Sequence, residues 1–208
     1  MQYNSHKQEL KDRIKKAASE MFFKNGIRQV RMDDIAHNLG ISKRTLYEIY
    51  DNKEQLLLDV VKYNNEENVK KLTAFANQGR TAIEIMAEFY RLQMKRVGNV
   101  NPCFFEDLQG YSNVLDYLHK EKEKNRKQQR KFIDKAISDG YFMGNINYDI
   151  VEEMLTSIRD NVINVETLQR YGKPELFRTI IMVFLRGICT QKGVEQLDAL
   201  MKIIDTQE

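Results

Sequence analysis

The chain has 208 residues, 42% of them hydrophobic and 30% charged, which is enough apolar material for a buried core; 10 glycines and 2 prolines exclude a collagen-like or low-complexity polymer. No run approaches the roughly 18 apolar residues of a membrane helix, and the polar start MQYNSHKQELKDRIKK lacks the apolar stretch of a secretory leader, so a cytoplasmic protein without a membrane partner is expected. The net charge of +3 is uneven: residues 1–53 hold 11 Lys/Arg against 7 Asp/Glu, a net +4, while the remainder is −1, so a basic head for a polyanion sits on a neutral body.

The pattern is helical almost throughout. Leu10, Ile14, Ala17, Ala18, Met21 and Phe22 recur at the spacing of one helix face, and Asn25-Gly26 ends that helix. Two very short helical stretches follow around Gly40. Asn52 is placed to cap a long helix running towards Gly79, with Gln55 returning the bond as in a capping box. Further helices are predicted over 80–97, 104–118, 119–139, 148–170, 175–191 and 194–205. Strand signals are nearly absent. The expected fold is all-α: an N-terminal three-helix domain over 1–53, then a larger helical domain over 54–208.

The most informative stretch is MDDIAHNLGISKRTLYEIYD, residues 32–51. Two short helices that cross at a tight turn need a small residue at the crossing, and Ala36 is there. The turn needs a positive φ, which Gly40 supplies. The second helix needs an N-cap, and Ser42 is a good one. Ile35, Leu39, Ile41, Leu46 and Ile49 fall at the inward positions. This is the spacing of a helix-turn-helix. The second helix then exposes Lys43, Arg44, Thr45, Tyr47 and Tyr50. Lys and Arg suit phosphates and guanine edges, and Thr suits a thymine methyl. Each tyrosine has two readings: a DNA contact, or a half-packed (Tyr47) or core (Tyr50) side chain.

From Ala17 to Leu57 the chain resembles the DNA-binding domain of the tetracycline-repressor (TetR) family. The resemblance rests on Ala17-Ala18, Phe22, Gly26-Ile27, Asp34-Ile35-Ala36, Leu39-Gly40-Ile41-Ser42-Lys43, Thr45-Leu46-Tyr47, Tyr50, Asn52-Lys53-Glu54 and Leu56-Leu57. It implies a homodimeric transcription regulator, usually a repressor, that binds a roughly palindromic double-stranded operator and is released by a small apolar or amphipathic effector. By position it implies base or backbone contacts from Lys43, Arg44 and Thr45, and phosphate contacts from Tyr47 and Lys53; Ser42, at the start of the same helix, is a further DNA-contact candidate. Two positions depart. Val30 and Arg31 stand where the family often has a capping Thr or Ser, which leaves Arg31 as a phosphate candidate. Arg44 replaces a common glycine, so no operator sequence carries over.

In the body, the stripe Val151, Leu155, Ile158, Val162, Val165 and the nearly all-apolar segment 175–191 are where the resemblance places a dimer interface; an ordinary monomer core is the alternative. On the second of these helices, Phe177, Ile181, Phe184 and Ile188 form an inward face, and Leu176, Ile180, Val183 and Gly187 a partner face. Met86, Phe89, Tyr90, Phe104, Phe105, Tyr111, Phe132 and Met154 are candidates to line an effector pocket, or simply core, with Arg159 a candidate for an anionic ligand group. The run from His119 to Lys127 reads as a solvated helix face.

Neither a cofactor nor a metal is expected. His6, His37 and His119 share no helical spacing, and Cys103 and Cys189 form no CxxC pair. An all-helical small-molecule enzyme is the rival reading, weakened by the lack of a GxSxG, HExxH or Gly-rich phosphate loop. A helical protein-interaction module is the third, and it would not need Lys43, Arg44 and Tyr47 on one exposed face.

Overall fold

The computed structural model describes residues 2–98, 100–161 and 164–205, apart from the side chains of 2–5, 96–98, 159–161, 165, 173 and 203–205. Among the described residues it is built of helices: α1 (Gln2–Asn25), α2 (Met32–Asn38), α3 (Lys43–Tyr47), α4 (Lys53–Ala76), α5 (Ala82–Gly98), α6 (Cys103–Leu108), α7 (Ser112–Ser138), α8 (Tyr148–Asn161), α9 (Val165–Tyr171), α10 (Lys173–Ile188) and α11 (Gln191–Asp205). They form two compact units. The first holds residues 1–67 and 99–121, the second 68–98 and 122–208.

The core of the first unit follows from helical periodicity. Ile14, Ala18 and Phe22 recur every fourth residue on α1 and are buried. They meet Ile27, Ile35, Ala36, Leu46, Tyr50, Leu56, Leu57 and Val60 in one cluster. Each such Leu, Ile or Phe, fully buried, contributes about 1.5–3 kcal/mol of transfer free energy. The boundary expected at 53/54 therefore falls inside this unit. The first two turns of α4 put Leu56, Leu57, Val60 and Val61 into the same core as α1.

A later piece of chain completes that unit. Phe104 packs edge-on against Phe23, with ring centroids 4.8 Å apart. The Asp107 carboxylate is buried and accepts from the Arg28 backbone N–H at 2.8 Å and from the Arg28 guanidinium at 3.2 Å. Gly26, at φ +85°, ends α1, and its α-carbon faces this contact: a Cβ there would lie 3.1 Å from Asp107 Oδ2 and 3.3 Å from Cys103 Cβ.

In the second unit, Ile83, Tyr90 and Met94 of α5 pack with Leu185 of α10 and Leu197 and Met201 of α11. The stretch between α7 and α8 joins them. Phe142 stacks on Tyr148 at 6.2 Å, Met143 N–H donates to Ile188 O at 2.9 Å, and Thr190 N–H donates to Tyr141 O at 2.9 Å.

Helix boundaries differ from the sequence expectation in two places. The break expected between 118 and 119 lies at Gln109-Gly110-Tyr111, where Gly110 N–H closes a turn onto Asp107 O at 3.0 Å. The helix expected over 148–170 is two. Asn164 caps the second by accepting from Thr167 N–H at 3.0 Å. No described helix is long and apolar enough to cross a membrane.

Gly26 and Gly40 differ in a way that can be measured. Both have positive φ, but nothing lies within 4 Å of a Cβ at Gly40. Gly40→Ala should lower stability by about 1–2 kcal/mol from backbone strain. Gly26→Ala should lower it by roughly 2–5 kcal/mol, because overpacking is added. Urea denaturation followed by circular dichroism checks this, and equal losses would contradict it. The thiols also separate. Burial pushes Cys189 up to about 11, while Cys103 is exposed. A maleimide at neutral pH is expected to label Cys103 and to spare Cys189 until the protein is unfolded.

Candidate nucleic-acid interface

Helix α3 has only five residues, too few to be stable alone. Its orientation comes from Leu46, which is completely buried, and from Tyr50 just beyond it, 1% exposed with its hydroxyl 3.3 Å from Asp59 Oδ2. Tyr50 is thus core and not a DNA contact. Ser42 caps the helix: its hydroxyl accepts from Thr45 N–H at 3.0 Å and lies 2.8 Å from Thr45 Oγ1. Burying Leu46 turns the opposite face outward. That face carries Lys43, Arg44 and Tyr47, with Tyr47 41% exposed. Thr45 is half-buried, with its hydroxyl engaged in the cap.

Helix α2 lacks the expected Thr or Ser cap. Arg31 is the N-cap residue; its carbonyl, not a side chain, accepts from Asp34 N–H at 3.1 Å, and Asp34 Oδ2 reaches back to accept from Arg31 N–H at 2.8 Å. The Arg31 side chain is left exposed. Asn52 caps α4 by accepting from Gln55 N–H at 2.9 Å. Gln55 Oε1 returns a bond one residue earlier than a capping box would, to Asp51 N–H at 2.7 Å. His37 is exposed, and no His/Cys/Asp/Glu group among the described residues is arranged to hold a metal.

Both exposed cations of α3 have carboxylate partners. Lys43 Nζ lies 2.8 Å from Asp33 Oδ2 on α2, which raises the lysine above its ordinary value. The same ammonium stands 5.9 Å from the Tyr47 ring centroid. Arg44 Nε lies 3.0 Å from Glu48 Oε1. The Arg44–Glu48 pair was legible as an i, i+4 spacing. No sequence signal links Asp33 to Lys43 or Asp107 to Arg28.

Lys53 is not where a phosphate contact is expected. Its ammonium turns inward to the carbonyls of Ile27 at 3.0 Å, Val30 at 3.1 Å and Arg28 at 3.4 Å. The turn between α1 and α2 leaves these oxygens without helical donors, and a lysine at the start of α4 reaches all three. Burial lowers this ammonium from its ordinary value.

The effector-pocket candidates are divided between the two units. Met86, Tyr90 and Phe132 belong to the core of the second unit, whereas Phe104, Phe105 and Tyr111 belong to that of the first, packed around α1. Phe89 and Met154 are exposed, and the Arg159 side chain lies outside the described residues. On α10, Phe177, Ile181, Leu185 and Ile188 face the core; Leu185, not Phe184, fills the buried position. Val183 is 65% exposed and Gly187 is open to solvent. Leu176, Ile180, Val151 and Ile158 are half-buried, and Leu155 is exposed. Val162 lies outside the described residues.

Two crossed short helices, a glycine turn and an outward second helix define a helix-turn-helix domain. Residues 14–60 match the family described as bacterial regulatory proteins, tetR family. The stretch that carries the helix-turn-helix is thus a tetR-family domain, and the chain as a whole has the fold of TetR-family transcriptional regulators. Similar solved structures include a proposed transcriptional regulator from Saccharomonospora viridis in complex with choline. It is 19% identical with TM-score 0.71, covering 88% of this chain and all of that one. A TetR-family regulator from Agrobacterium tumefaciens is 12% identical with TM-score 0.69 over 88% and 100%. The TetR-family protein CprB of S. coelicolor is 15% identical with TM-score 0.68 over 96% and 98%. Comparison with curated proteins finds no match.

The inward lysine gives a direct test. Lys53→Ala removes three hydrogen bonds from a charged donor and should lower stability by about 1–3 kcal/mol. The loss should persist in high salt, because the acceptors are in direct contact with the ammonium. Unchanged stability, with the effect confined to DNA affinity, would show that Lys53 is free to serve as a phosphate contact.

Proposed function

We propose that this protein is a homodimeric, sequence-specific DNA-binding transcriptional regulator without enzymatic activity, acting in the cytoplasm as a repressor that a small apolar or amphipathic effector releases from its operator. The observation that carries this reading is the exposed face of α3, held outward by the buried Leu46. Lys43 and Arg44 read bases in the major groove, aided by the Thr45 methyl. Tyr47, Arg31 and the Ser42 turn meet phosphates. Lys53 serves by bracing the α1–α2 turn.

A second copy supplies the second reading helix. Met154 and Leu155 of α8 and Val183 of α10 are large apolar side chains left exposed, and Gly187 would let a partner helix approach closely. With Leu176, Ile180, Val151 and Ile158 at their margins, they suit an isologous interface. The S. viridis relative was solved with choline, which supports a small organic effector here.

Titrating the purified protein with duplex DNA from beside its own gene tests this reading. A dimer should bind tightly at low salt, with log affinity falling linearly in log salt. Leu155→Asp combined with Val183→Asp should give a folded monomer in analytical ultracentrifugation, with affinity down by roughly a hundredfold or more. A folded wild-type dimer that binds no duplex at low salt would refute the regulator reading; a wild-type monomer would refute the dimer.

A further inference from the structure

Arg44, in the first turn of α3, and Glu48, its C-cap, stand one helical turn apart, and both are exposed. The Arg44 Nε–H donates to Glu48 Oε1 at 3.0 Å, with the two side chains 89% and 61% exposed. Which nitrogen is held matters. A guanidinium recognises guanine through two parallel N–H bonds to O6 and N7. It can present either its two terminal nitrogens end-on or Nε with one terminal nitrogen side-on. A carboxylate on Nε removes the side-on option and leaves the end-on fork. It also places a negative charge one turn from the guanidinium, which disfavours a phosphate and leaves a neutral base edge as the better partner. Lys43 gains no such direction from Asp33, because an ammonium has no fork to orient.

We infer that Glu48 is a positioning residue for DNA reading: by holding Arg44 Nε it presents the terminal guanidinium nitrogens to a guanine, so base preference at the pair Arg44 meets depends on Glu48. This rests on the DNA-reading role proposed above.

The test selects duplexes from a random-sequence library with the full-length wild type. Affinities for single-base-pair variants of the selected duplex are then measured by fluorescence anisotropy. The proteins are the wild type, Glu48→Ala, Glu48→Gln, Arg44→Ala and Arg44→Ala/Glu48→Ala. The wild type should discriminate at the Arg44-dependent pair by roughly 5–150-fold. Glu48→Ala should compress that ratio by about two- to fivefold at that pair alone, while binding every sequence more tightly through loss of a negative charge. Glu48→Gln, whose amide oxygen still accepts from Nε, should keep the ratio. In the Arg44→Ala background, removing Glu48 should move no ratio. If Glu48→Ala changes affinity uniformly and leaves the ratio intact, the inference is overturned and DNA reading stands. The same holds if Arg44→Ala alters no base preference. If the wild type enriches no sequence, DNA reading itself falls and the inference falls with it.

Discussion

The burial of one leucine orients everything the N-terminal unit presents to solvent. Helix α3 is a single turn and a half, and a helix that short has no stability of its own. Leu46 fixes its rotation about its axis, and Tyr50 fixes where it ends. With those two side chains in the core, the helix can only turn Lys43, Arg44 and Tyr47 away from it. The Ser42 cap then fixes its start, and the glycine turn at Gly40 sets the angle at which it leaves α2. Removing the Leu46 side chain would not subtract one contact from this arrangement; it would release the helix.

The cations of the N-terminal unit fall into two groups. Lys43 and Arg44 are paired with carboxylates in the open, where solvent and salt screen an ion pair strongly. Lys43 can exchange Asp33 for DNA, whereas Glu48 on Arg44 Nε leaves the terminal guanidinium nitrogens open to it. Lys53 is different. Three carbonyls surround its ammonium, so it belongs to the scaffold that joins α1, α2 and α4. The Asp107–Arg28 contact adds to this, tying α6 to the turn after α1. The corner after α1 is therefore held by both Lys53 and Asp107, and Gly26 leaves the room that Asp107 and Cys103 need beside it.

Much of this was legible in the residues. The Ala36, Gly40 and Ser42 spacing marked the helix-turn-helix, and the apolar positions around it predicted which faces turn inward. Residue types with strong local physics, such as the caps at Ser42 and Asn52, behaved as expected. What was not legible depended on contacts distant in sequence. Nothing local says that Phe104 packs with Phe23 and Phe105 while Phe132 packs with Phe142. One apparent set of aromatic candidates thus belongs to two cores. Lys53 carries the right charge at the right position for a phosphate, and only the fold shows that three bare carbonyls claim it first. The helix break falls at Gly110 and not at 118/119, because a turn closed by Gly110 N–H on Asp107 O ends α6 there.

The most direct measurement is the structure of the full chain bound to a duplex it selects. In it α3 should lie in the major groove, with Lys43 turned to DNA, Arg44 on a base edge with Glu48 still on its Nε, and Lys53 still on the carbonyls of Ile27, Arg28 and Val30. A complex in which the duplex lies against another surface, with α3 facing solvent, would contradict it.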